Sequence, residues 1–169
     1  RIKSKKSIEK KLETLGHSDS VQTAKDHLRD IAGIRVICYF IDDIYNLVNA
    51  LKRQSELIFI REKDYIQNPK PNGYRSFHVI IAVPVYYLDT MEYFPVEIQL
   101  RTMTMDLWAS MEHRVCYKKL PEHRDELAEA FCQYADILGK IEEQFEAYNE
   151  TGMLEEITPA QITENPTEG

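Results

Sequence analysis

The sequence predicts an α/β (α+β) fold: a mixed, mostly antiparallel central sheet of about five strands, flanked by helices and followed by further helices at the C-terminal end. Three observations predict it. Short apolar runs rich in β-branched residues recur between residues 34 and 100. The runs at 77–85 and 93–100 are close enough in sequence to pair as a hairpin. From Met103 onward the apolar spacing changes to that of long helices.

The elements follow in the order ααβαβββαα. Residues 4–15 place Ile8, Leu12 and Leu15 at helical spacing with lysines opposite, and Gly16 is a natural stop. A second helix over 20–29 has Ser20 at its N-cap. Residues 34–40 are almost wholly apolar, which predicts a central strand covered on both faces. Asp42 or Asp43 then caps a helix to about Gln54, with Ile44, Leu47, Val48 and Leu51 on one stripe, and 57–61 is a strand. Two prolines and a glycine make 64–76 a loop. The helices beyond it are 103–118 and 122–148, the latter with a stripe of Leu127, Phe131, Tyr134, Ile137, Leu138 and Ile141. Trp108, Met105 and Met111 read as core, and the Pro-Thr-Glu-rich end reads as frayed.

A chain of 169 residues fits one compact domain with a substantial core. Its formal charge of −7 argues against coating nucleic acid or an anionic membrane through a net basic field, so any phosphate site must be local. Three cysteines without a CxxC spacing fit a reducing interior, and with no apolar signal core the expected address is the cytoplasm. The chain starts at Arg1 rather than Met, so preceding residues are expected.

Chemistry concentrates in a few places. Lys63, Lys70 and Arg75, with Tyr74 after Gly73, supply phosphate charge and one aromatic face. Tyr74 has little core to join in such a loop, so it either stacks on a base or tethers the loop through its hydroxyl. Glu97 is a lone acid on an apolar strand, with Gln99 two residues on and therefore on the same face. Asp30 precedes the 34–40 strand; with Glu97 it forms a carboxylate pair suited to Mg²⁺, the alternative being a turn acid and a Glu97–Arg101 pair. Arg35, inside an apolar run, needs a partner or an exit. Lys3 and Lys11 belong to a basic helix that is otherwise a solvated face. His78 alone reads as structural, and Asp106 in a first helical turn complements the helix dipole or accepts from guanine N1–H and N2–H. Glu112, His113, Cys116 and His123 lack a recognised zinc spacing.

In order, Arg1-x-Lys3-x-x-x-Ser7-Ile8-x-x-Lys11, Asp30-Ile-Ala-Gly-Ile-Arg35, Arg61-x-Lys63-Asp64-Tyr65, Asn72-Gly73-Tyr74-Arg75-Ser76-x-His78 and Glu97-Ile-Gln99-x-Arg101-Thr resemble the synthetase domain of RelA/SpoT-type alarmone synthetases, in the small stand-alone bacterial form. The resemblance implies a nucleotidyltransferase-like synthetase fold and a GTP pyrophosphokinase that moves the β,γ-pyrophosphate of ATP to the 3′-hydroxyl of GTP or GDP, giving pppGpp or ppGpp and AMP in the stringent response. It implies catalysis by Glu97 and Asp30, with Mg²⁺ on both. ATP would be held by Arg1, Lys3, Ser7, Lys11 and Lys63, with adenine between Arg35 and Arg61. The acceptor would be held by Lys70, Tyr74, His78, Gln99 and Asp106, although the family often carries Asn in place of Asp106. It further implies a catalytic domain over 1–118, a helical extension over 119–157 for assembly into a homotetramer, and a flexible tail over 158–169. No membrane or DNA partner is expected, and RNA regulation stays open. The competing readings are another nucleotidyltransferase of similar fold and a catalytically silent nucleotide- or RNA-binding module.

Overall fold

The computed structural model describes residues 2–20, 23–24, 27–28, 30–116 and 124–151. They belong to two compact units, one of Arg1–Pro69 with Arg75–Met103 and one of Lys70–Tyr74 with Thr104–Gly169.

The first unit opens with α1 (Lys5–Thr14), capped by Ser4, whose hydroxyl accepts from the Ser7 N–H at 3.4 Å. The helix ends where expected, with Gly16 in the left-handed region at φ +74°. Leu12 is buried with Ala24 and Leu28, and Ile8 and Ile31 pack against them. Ser20 accepts from the Thr23 N–H at 3.0 Å, the N-cap geometry expected there. Residues 21, 22, 25, 26 and 29 of that expected helix lie outside the described residues.

The sheet consists of β1 (Ala32–Cys38), β2 (Ile58–Asp64), β3 (Phe77–Tyr87) and β4 (Thr90–Thr102), in the order β1-β4-β3-β2. β1 is parallel to β4, and the other two pairings are antiparallel. The mixed, mostly antiparallel sheet is as expected, with four strands among the described residues against about five expected. Among the described residues the place beside β1 holds a single bridge, Ile2 to Ala32.

β1 therefore corrects the expectation of a central strand. It is an edge strand, with Ile34 53% and Ile37 44% exposed; β3 and β4 are central. One face of the sheet carries buried Phe77, Val79, Ile81, Ile98 and Leu100. Between β1 and β2, α2 (Ile41–Lys52) packs on β1 and β4 and buries Ile44 and Val48. Its N-cap is Phe40, and Asp43 reaches back to accept from the Phe40 N–H at 3.1 Å, so Asp43 lies one turn inside the helix. β2 runs to Asp64, which places Lys63 on a strand instead of in the loop. Asp64 then accepts from the N–H groups of Ile66 and Gln67, starting the turn that follows. β3 and β4 meet at Tyr87 and Thr90 across a two-residue loop, tighter than expected.

The second unit contains the 70–74 turn, the body of α3 (Met103–Cys116) and α4 (Arg124–Thr151). Trp108, Phe131 and Ala135 form its buried cluster, and the Trp108 indole donates to the Phe131 carbonyl at 2.7 Å. Tyr134 of the expected stripe is 51% exposed while its neighbour Ala135 is buried. Met111 is also exposed, at 49%, whereas Met105 and Trp108 are core as expected. Residues 117–123 and 152–169 lie outside the described residues, and with them His123 and the expected tail.

Candidate active site

The face of the sheet opposite the apolar one is polar, and strand register explains how. Arg35 pairs with Gln99, Gln99 with His78, and His78 with Lys63. Two residues along, Gly33 pairs with Glu97, Glu97 with Ile80, and Ile80 with Arg61. Paired residues share a face, and so do residues two apart on one strand. Six expected functional residues, Arg35, Arg61, Lys63, His78, Glu97 and Gln99, thus fall in two adjacent rows on one surface. Arg35 and Arg61 sit on opposite edge strands, three inter-strand steps across and two residues along, roughly 16 Å apart at the backbone.

Glu97 occupies the middle. The His78 Nδ1 lies 3.3 Å from its Oε1, and the Gln99 amide donates to its Oε2 at 3.3 Å. Arg101 meets the Gln99 carbonyl oxygen at 3.5 Å and not Glu97, so the alternative of a Glu97–Arg101 pair does not hold. The His78 hydrogen bond holds the Glu97 carboxyl below the usual carboxylate range; burial opposes this, Gln99 assists, and the negative charge of Asp30 pushes upward. That repulsion marks the two carboxylates as neighbours.

Asp30 is reached by both Lys3 and Lys11 through its Oδ2, Lys11 at 2.6 Å. Burial raises the Asp30 pKa, and the two ammonium groups outweigh it, leaving the group below its ordinary value. Its Oδ1 is buried without a hydrogen-bond partner. A cleft of about 600 Å³ is lined by Lys3, Asp30, Gly33, Arg35, Glu97 and Gln99 among others. Gly33 was not singled out from sequence. A methyl there would meet the Glu97 carbonyl oxygen at an ordinary 3.6 Å, so glycine leaves room beside Glu97 without relieving a clash. An orphaned carboxylate oxygen beside a second carboxylate fits Mg²⁺, a hard ion that takes one or two carboxylates and completes its shell with water and phosphate oxygens. Among the described residues no group of three or more His, Cys, Asp or Glu could hold a metal, so protein ligands alone would not enclose it.

Ser7 lies in the first turn of α1 with its hydroxyl 2.9 Å from that of Ser4. Lys63 is exposed, its ammonium 5.8 Å from the Tyr65 ring centroid, and Arg61 is exposed beside a bulge in β2. Arg1 lies outside the described residues.

In the second unit, the Lys70 carbonyl accepts from the Gly73 N–H at 2.8 Å, and the Lys70 N–H donates to the Tyr74 carbonyl at 3.1 Å. Asn72 braces the turn by accepting from the Tyr74 N–H at 3.2 Å. Tyr74 corrects the expectation that it has little core to join: it packs on the Trp108 cluster, its ring 6.3 Å from the indole. The Lys70 ammonium stands over the Tyr74 ring at 4.7 Å. Asp106 is half-buried in the first turn of α3, as expected.

A mixed sheet with Glu97, Lys63, Arg35 and Arg61 on its polar face, and Asp30 held by Lys3 and Lys11 beside its edge, defines an α/β domain with a carboxylate pair set among cations, the combination suited to phosphate groups. Residues 1–122 match the family model described as the region found in RelA / SpoT proteins. The chain belongs to that family. GTP pyrophosphokinase YwaC of Bacillus subtilis (strain 168) is 46% identical over 144 residues, 85% of this chain and 69% of that protein. The crystal structure of small alarmone synthetase 2 from Bacillus subtilis matches with a TM-score of 0.77 and 43% identity, covering 89% of this chain and 78% of that one. Small alarmone synthetase 1 from Bacillus subtilis, bound to its product pppGpp, matches with a TM-score of 0.76 and 28% identity over 90% of this chain and 77% of the other. Among the described residues no helix is long and apolar enough to cross a membrane.

Proposed function

We propose that the chain is a GTP pyrophosphokinase, a (p)ppGpp synthetase of the small alarmone synthetase type that acts in the bacterial cytoplasm. The observation that carries this reading is Glu97, held by His78 and Gln99 in the same cleft as Asp30 with its two lysines. Family membership and the named activities of its relatives support it.

In the proposed reaction the 3′-oxygen of GTP or GDP attacks the β-phosphorus of ATP. The bond from that phosphorus to the α,β-bridging oxygen breaks, AMP leaves, and the 3′-hydroxyl proton passes to Glu97. Lys3, Lys11, Lys63, Ser7 and Arg1 bind ATP phosphates, and Arg35 and Arg61 reach inward from the two sheet edges to hold adenine. Guanidinium planes suit such stacking. Lys70 binds acceptor phosphates, joined by His78; Tyr74 stacks on guanine, and Gln99 and Asp106 help hold the guanosine. Mg²⁺, when bound by Asp30 and Glu97, neutralises phosphate charge. The work of the protein is then positioning and charge complementarity.

The catalytic domain spans 1–118, and 119–157 serves assembly into a homotetramer. RNA is a candidate regulator of the assembled enzyme.

Incubation with ATP labelled in the β-phosphate, GTP and Mg²⁺ tests the reaction. Label in a guanosine 3′-pyrophosphate, with equimolar AMP, is expected. Nucleotidyl transfer with pyrophosphate release would instead identify another nucleotidyltransferase, and nucleotide binding without turnover would identify a silent module.

A further inference from the structure

A base that takes the 3′-hydroxyl proton must keep one lone pair aimed at it while its own flexible side chain stays still. The sheet supplies the restraint. His78 faces Gln99 and Ile80 faces Glu97 across β3 and β4, so His78 and Glu97 are diagonal neighbours on one face. One donor reaches each carboxylate oxygen, His78 at Oε1 and Gln99 at Oε2, both at 3.3 Å. A carboxylate oxygen offers two lone pairs, so each keeps one for substrate. The imidazole is itself held. The Tyr65 ring stands edge-on to it at 5.3 Å and 87°, and the His78 side chain is only 16% exposed.

We propose that His78 is a positioning residue for Glu97: the Nδ1–H of its imidazole and the Gln99 amide bracket the carboxylate, so that a remaining lone pair points at the acceptor 3′-hydroxyl. This deepens the pyrophosphokinase reading and rests on it. It also goes beyond a contact to acceptor phosphates, because the nitrogen that holds Glu97 acts through the carboxylate and not on the nucleotide.

Steady-state rates of His78→Phe and His78→Asn, each against GTP at saturating ATP and against ATP at saturating GTP, test it. Phe keeps a planar ring against Tyr65 and removes the donor; kcat is expected to fall about 10- to 100-fold, with the KM for ATP within about twofold. Asn places its Nδ2–H where the imidazole Nδ1 stood and is expected to recover most of kcat. Thermal melts and affinity for a non-hydrolysable ATP analogue show that each variant is folded. If His78→Phe does not fold, His78→Leu, which also lacks a donor, replaces it in the comparison. A raised KM for GTP with kcat unchanged would overturn the proposal in favour of a phosphate contact. Equal kcat losses in the Phe and Asn variants would also overturn it, since the donor would then be irrelevant. Wild-type protein that releases no AMP overturns the reaction reading itself, an outcome separate from either.

Discussion

Replacing Gly73 by alanine isolates how tightly the 70–74 turn is seated, because Gly16 provides a matched control. Both glycines have positive φ, +87° at Gly73 and +74° at Gly16. At either position alanine incurs a left-handed backbone penalty of about 1–2 kcal/mol, partly offset by about 0.4–1 kcal/mol from a less flexible unfolded chain. The surroundings differ. A Cβ on Gly16 meets nothing within 4 Å, whereas one on Gly73 would lie 2.9 Å from the Ala135 Cβ, 3.1 Å from the Cys132 Cα and 3.4 Å from the Phe131 carbonyl oxygen. Two of those three atoms are backbone of α4, so relief requires movement of the turn or the helix, at about 1–3 kcal/mol. Gly16→Ala is therefore expected to destabilise by about 1 kcal/mol and Gly73→Ala by about 2–4 kcal/mol. At about 2–4 °C per kcal/mol for a chain of this size, the second melting midpoint falls some 5–15 °C. Urea titration followed by Trp108 fluorescence is the assay, since the indole lies in the cluster beneath the turn. Equal losses in the two variants would refute the close seating of Gly73 on α4.

Glu97→Gln is expected to lower turnover at least 100-fold, measured as AMP release, while affinity for an ATP analogue changes little. Tyr74→Ala is expected to raise the KM for GTP tenfold or more and that for ATP much less, since a base stacked on an aromatic ring contributes about 1–3 kcal/mol; equal effects on both would remove the stacking role. It should also lower stability by about 1–3 kcal/mol, because the ring packs on the Trp108 cluster. Asp30 and Glu97 both have lowered pKa values, so each binds protons less readily folded than unfolded. Their stabilisation is complete above the ordinary carboxylate range near pH 4 and is lost as pH falls through the lowered folded values. Stability should hold from pH 7 to about 5 and drop below about 4, with a shallower acid limb in Asp30→Asn; superposable limbs would contradict the ion-pair assignment.

The elements were legible in the sequence where periodicity spoke for burial, as in α1, α2 and the β3–β4 pair. Position within the sheet was not. Residues 34–40 read as central because they are apolar, yet an apolar run reports whether a strand's faces are covered and says nothing about pairing at its edges. Among the described residues β1 is bonded along one side by β4 and along the other at Ala32 alone, and Ile34 and Ile37 are exposed. The end of β2 was missed for the converse reason. Glu62, Lys63 and Asp64 look like loop residues, but ladder hydrogen bonds use backbone groups that charge does not spoil.

For the site, the shared face of Glu97 and Gln99 followed from a spacing of two. The arrival of His78 beside them could not, because it depends on register between strands, and local pattern sets register only where one face is buried. Here that condition holds. Phe77, Val79 and Ile81 are all buried on the opposite face. A slip of β3 by one residue would turn these three outward and replace His78 with an apolar neighbour at Gln99. The two-residue loop joining β3 to β4, with Leu88 in the left-handed region at φ 50°, fixes the same register from the other end. The apolar side chains that build the core are thus the cause of the Glu97–His78 contact on the far side of the sheet.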